Sequence, residues 1–102
     1  MDPLRCDASG WLDLEALSRV LAAPPDWVVE RVRAGLVEVE GQGGSEPSGW
    51  RFDALVVARL RSMRRTEVAF DAAPELAALV ADLEEELARL RAQLFALRGW
   101  RG

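Results

Sequence analysis

The side chains of this chain that could do chemistry are seventeen carboxylates, thirteen arginines, five serines and one thiol, Cys6. Histidine and lysine are absent, so a Ser-His-Asp or Cys-His arrangement, an imidazole metal ligand, a P-loop lysine and a Schiff base are all excluded. A single cysteine allows no intramolecular disulfide and no cysteine-based metal site. Paired carboxylates can act as general acid and base, but only where a desolvated cleft raises one pKa. Nearly every Asp and Glu here falls at a helix start or on a polar face, where solvation or capping is its ordinary role. The expectation is a protein that is not an enzyme, with no catalytic residues, no metal and no cofactor.

The elements that carry these charges read as follows. In "DLEALSRVLA", residues 13–22, Leu14, Leu17 and Leu21 recur at helical spacing, with Asp13 as N-cap. "APPD" interrupts, and Pro25 suits the first turn of a second helix over 26–34, with Val28 and Val32 inward and Gly35 as its stop. A helix, a tight turn and a helix in so short a span give helix-turn-helix geometry. From Leu36 the period becomes two. Val37, Val39, Trp50 and Phe52 then make an inner face, with Glu38, Glu40 and Arg51 outside, on two strands around the loop "GQGGSEPSG". Asp53 caps a third helix, "DALVVARLRSMRR", whose buried side is predicted to hold Leu55, Val56, Leu60 and Met63. Arg59, Arg61, Arg64 and Arg65 crowd its expected end, where they read either as complements to the helix dipole or as cationic contacts.

The strongest periodicity is in the last third. Leu76, Val80, Leu83, Leu87, Leu90, Leu94 and Leu97 follow alternating spacings of four and three, an a/d seam about three heptads long. A helix over 74–98 would measure roughly 37 Å at 1.5 Å per residue. A leucine seam that outruns a small domain calls for another chain, so a homodimer is expected. Glu86 and Arg91 flank the seam at g and e positions, and Glu85 precedes Arg89 by four residues.

The fold class expected is mainly α: a winged helix-turn-helix over 1–70 with a short two-stranded hairpin, and a long C-terminal dimerisation helix over 71–102. This order of elements resembles MerR-type regulators, and DNA binding is the alternative function it implies. Charge opposes it: residues 11–65 hold eight acids and eight arginines, and the whole chain is at −4, whereas a DNA reader is usually basic. MerR-type recognition helices carry an arginine and paired tyrosines. Here the matching stretch is Val29-Glu30-Arg31, and tyrosine is absent throughout. Nucleic acid is therefore not the expected partner. No run is long and apolar enough for a membrane span, the start lacks the pattern of a signal peptide, and a cytoplasmic location is the default.

"GWRFD", "ARLRSMRRTEVAFD" and "LAALVADLEEELARLRAQL" together are similar to the CbpM-type chaperone modulators, a MerR-like helix-turn-helix family. Glu75 departs from the pattern, standing where glycine is expected after the "FDxxP"-like turn. The resemblance implies binding to the J domain of a DnaJ/CbpA-like co-chaperone and inhibition of its action on the Hsp70, DnaK. J domains present a basic helix to Hsp70, so the expected contacts are acidic: Glu30, Glu38, Glu40, Asp82, Glu85 and Glu86. The run Glu84-Glu85-Glu86 reads equally as a solvated face. Of the four tryptophans, Trp27 is expected to be partly exposed and to anchor the partner. Trp50 is expected on the hairpin's inner face, Trp11 against the first helix, and Trp100 in a tail.

Overall fold

The computed structural model describes residues 11–40 and 46–100, with Trp100 described in its backbone only. Its order is β1 (Trp11–Leu12), α1 (Leu14–Leu21), α2 (Pro25–Arg33), a 3₁₀ turn (Pro47–Gly49), β2 (Phe52–Asp53), α3 (Ala54–Phe70) and α4 (Pro74–Trp100). The fold is mainly helical, with one short antiparallel strand pair and a long C-terminal helix. Cys6 lies outside the described residues.

Local chemistry sets the helix ends. The Asp13 carboxylate accepts the Ala16 amide at 2.8 Å and starts α1, which ends on Ala22 in the left-handed region at φ 53°. Pro25 occupies the first turn of α2, where its missing N–H costs nothing. Gly35, at φ 79°, takes the chain out of that helix in a conformation that L side chains rarely adopt. Asp53 caps α3 through the Val56 amide at 2.9 Å.

α3 runs to Phe70, five residues past the "MRR" at which the reading of the sequence ends it. No glycine or proline lies between Ala54 and Phe70, so nothing breaks the helix until Asp71 turns left-handed at φ 51°, three residues before Pro74. Arg59, Arg61, Arg64 and Arg65 consequently sit in the middle of the helix, away from the terminal carbonyls they would complement. The last turn carries no basic residue.

The core gathers Leu17, Val28, Val32, Phe52, Leu60 and Met63, all with essentially no exposure, and Trp50 at 3%. Leu55 was expected there and is instead 83% exposed. Five residues before Leu60, it projects about 140° round the helix from it at 100° per residue. Val56 and Val57 take the inward place beside the core.

The strand pairing also differs from the expectation. β2 pairs antiparallel with β1, Trp11 opposite Asp53 and Leu12 opposite Phe52. Val37 is buried and Val39 half-buried while Glu38 and Glu40 face out, as the alternation predicts. Yet this segment meets the second strand of the expected hairpin at one bridge, Glu40 with Arg51, whose amide donates to the Glu40 carbonyl at 2.9 Å. Residues 41–45 of the intervening loop lie outside the described residues. β1 takes the ladder position because Leu12, 5% exposed, closes the core beside Phe52.

α4 belongs to two environments. Ala77, Ala78 and Ala81 are buried against α3 and join the main core. From Asp82 to Gly99 every residue is exposed. The first two turns of α4 thus share one core with α1, α2 and α3. Among the described residues no helix is long and apolar enough to cross a membrane.

Candidate protein-interaction surface

α2 turns its arginine inward. Arg31 is 8% exposed, and its guanidinium lies over the Trp27 ring, 4.4 Å from the centroid. Arg31 Nε donates to Glu67 Oε2 at 3.2 Å and Nη2 donates to Glu67 Oε1, a bidentate pair. Nη1 donates to the Trp27 carbonyl at 3.2 Å and to Glu30 at 3.1 Å. Trp27 Nε1 donates to Glu67 Oε1 at 3.1 Å, and Arg64 lies 5.4 Å from the same ring. Trp27, expected to be partly exposed, is therefore buried at 8%. Two arginines and a carboxylate enclose it, and its polar N–H requires that carboxylate once buried. Glu30 remains exposed beside it.

On the other flank of α3, Arg59 joins two segments. Its Nε donates to the Leu36 carbonyl at 3.0 Å, just past the end of α2, and its Nη1 donates to Asp82 at 2.6 Å and Glu85 at 3.2 Å. Arg65 donates to Glu84 at 3.3 Å, and Ser62 Oγ donates to the other oxygen of that carboxylate. Glu86 pairs with Arg89 one turn on, so the i,i+4 pairing of Glu85 with Arg89 read from the sequence is replaced. Asp82, Glu85 and Glu86 are thus partly neutralised within the chain. Glu38 and Glu40 stand exposed on the segment after α2 with no ion pair among the described residues. Arg59 ties the Leu36 backbone, two residues before Glu38, to Asp82 and Glu85 on α4.

Eight of the eleven described arginines are exposed, and on α4 Arg91 and Arg98 have no ion pair among the described residues. Arg33 and Arg61 are exposed without an ion pair among the described residues, while Arg51 stacks 4.8 Å from the Trp11 ring and Arg19 lies 3.9 Å from Glu15. A phosphate backbone needs cations or donors aimed at it, and this module directs most of its own to partners inside the chain.

Leu76, Leu83, Leu87, Leu90, Leu94 and Leu97 of the seam are exposed, and Val80 is half-buried. An open apolar groove of about 420 Å³ runs between α3 and α4 past Leu55, Ala58, Ala81 and Ala88. Among the described residues, no cluster of His, Cys, Asp or Glu could hold a metal ion.

Sequence reasoning missed Glu67, Arg59 and the Ser62–Glu84 contact. Glu67 did leave a signal: with Leu60 and Met63 it follows spacings of three and four, which places a carboxylate on the buried side of α3, where it requires a cationic partner. Arg59 left none, because its partners lie 23 and 26 residues away on an element whose direction the sequence does not give.

No family model, no curated protein and no solved structure matches this chain.

Proposed function

We propose that the chain is a non-catalytic modulator that binds the J domain of a DnaJ/CbpA-like co-chaperone and keeps it from Hsp70. One observation carries the reading: Arg31 on α2 is locked to Glu67, beside a segment over 36–40 that presents Glu38 and Glu40 to solvent. That distribution of charge suits a basic protein helix and opposes a phosphate backbone. Glu30, next to Arg31 and exposed, extends the acidic surface. Complementary charge of this kind governs approach rate and partner choice more than final affinity. Trp27 acts from within, holding the shape of α2, and the apolar part of the contact falls to exposed side chains elsewhere on the module.

The test is a calorimetric titration with a J domain from a CbpA-like co-chaperone at two salt concentrations. Saturable binding that weakens at the higher salt is expected, and Glu38→Arg with Glu40→Arg should slow association and flatten its salt dependence. No heat at either salt would overturn the reading. Binding to duplex DNA at low salt, falling steeply toward physiological salt, would replace it with a MerR-like regulator.

A further inference from the structure

Glu75, which departs from the pattern of the resemblance, stands exposed beside Pro74 in the first turn of α4. It lies on the wall of an open pocket of about 280 Å³ between the end of α2 and the start of α4. Glu30 and Arg31 line the same pocket, and Ala34, Leu36 and Pro74 are its apolar walls.

Arg31 is the single cation among these lining residues, and its charge is already matched: Glu67 holds the guanidinium by two hydrogen bonds. Glu30 gives Arg31 one oxygen, Oε1, at 3.1 Å, and its side chain remains 72% exposed. Glu75 has no ion pair among the described residues. The pocket therefore carries two carboxylates that no cation of its own balances. It also lies at the negative end of the α2 dipole, while Glu75 itself answers the positive end of α4. The surroundings are acidic as well. Glu38 follows Leu36 by two residues, no more than about 7 Å of chain. Arg59 ties the Leu36 carbonyl to Asp82 and Glu85, so that one guanidinium serves two carboxylates.

What fits such a pocket is a long apolar stem that ends in a cation. Arginine and lysine lay their methylenes on apolar surface and keep the charged head at the polar mouth. A phosphate would meet Glu30 and Glu75 as like charges, and a purely apolar side chain would leave both without a partner. We propose that this pocket receives one basic side chain from the basic helix of the J domain, its stem against Leu36 and Pro74 and its head between Glu30 and Glu75. The inference rests on the J-domain reading and adds to it a point of selectivity, because a chain with glycine in place of Glu75 would offer the incoming cation Glu30 alone.

Calorimetric titration of the unaltered chain, Glu75→Gly and Glu75→Gln against one CbpA-like J domain tests it. Both variants should bind about tenfold more weakly and with a flatter salt dependence. Glu15→Gln, beside Pro25 at the opposite end of α2, should bind as the unaltered chain does. Weakening in Glu75→Gly without weakening in Glu75→Gln would trace the loss to the helix start rather than to the charge, and would overturn the proposal. Full affinity in both variants would overturn the pocket and leave the J-domain reading standing, whereas no binding by the unaltered chain would overturn both. A double-mutant cycle then identifies the occupant. With each basic residue of the J-domain helix replaced by alanine in turn, one replacement should lose its effect in the Glu75→Gln background, and strictly additive losses at every position would also overturn the proposal.

Discussion

The two flanks of α3 hold arginine–carboxylate pairs of opposite character. Toward α2, Arg31 and Glu67 are about one-tenth exposed, joined by two hydrogen bonds and covered by Trp27. Toward α4, Arg59 and Arg65 reach Asp82, Glu84 and Glu85 at a surface where the acids are roughly half exposed. The same residue types therefore do different things. Removing two charges from water is costly, and a buried pair holds its place only through good geometry and complete hydrogen bonding, which α2 supplies with Trp27 and Glu30. The exposed pairs are weak one by one and screened by salt, and they fix the direction of α4 more than they stabilise the fold.

That contrast can be broken most severely at Glu67. Glu67→Ala strips Arg31 Nε and Nη2 and the Trp27 N–H of their carboxylate, leaving Arg31 only the Trp27 carbonyl and the exposed Glu30, and urea unfolding should show a loss of about 3–5 kcal/mol. Replacing the pair together, Arg31→Met with Glu67→Leu, should recover most of that loss, because apolar isosteres of a buried pair are often neutral. Failure to recover would mean that the pair stabilises beyond the cost of its own burial. Next in size is Arg59→Ala, which removes the bond to the Leu36 carbonyl as well as the two surface ion pairs. A loss of about 1–2 kcal/mol is expected, with faster hydrogen exchange over residues 36–40. The smallest effect belongs to Asp82→Ala with Glu85→Ala: at most about 1 kcal/mol in urea unfolding, vanishing at high salt. The Glu67 effect should survive the same salt, and a salt-sensitive Glu67 variant would erase the distinction between the flanks. Leu87→Glu with Leu90→Glu lies outside this ranking, because it should convert a dimer to a monomer in sedimentation without melting the core.

What the sequence made legible was local. Asp13 and Asp53 as caps, Gly35 as a helix stop and Val28, Val32, Leu60 and Met63 as core all follow from chemistry within one or two turns of each residue. The leucine seam was legible as a periodicity, and its exposure along α4 is what such a seam gives in a single chain. The errors were non-local. Trp27 could be placed only by knowing that Glu67, forty residues on, turns toward it. β2 found its ladder partner in Trp11–Leu12 rather than in the nearer segment, since burial of Leu12 beside Phe52 outweighed proximity in sequence. Leu55 was misread because four apolar residues in "ALVV" leave helical phase ambiguous until the core is known.

The three alanines that seat α4 on α3 have a mechanical consequence. The helix is clamped along its first two turns and by the ion pairs just beyond them, and the rest extends as a lever of about 22 Å. A tilt of about 10° at that clamp would carry the far end by about 4 Å. The position of Phe95 is therefore set not at Phe95 but at Ala77, Ala81 and Arg59. Small repacking there would move the tip of the molecule farther than any substitution made at the tip itself.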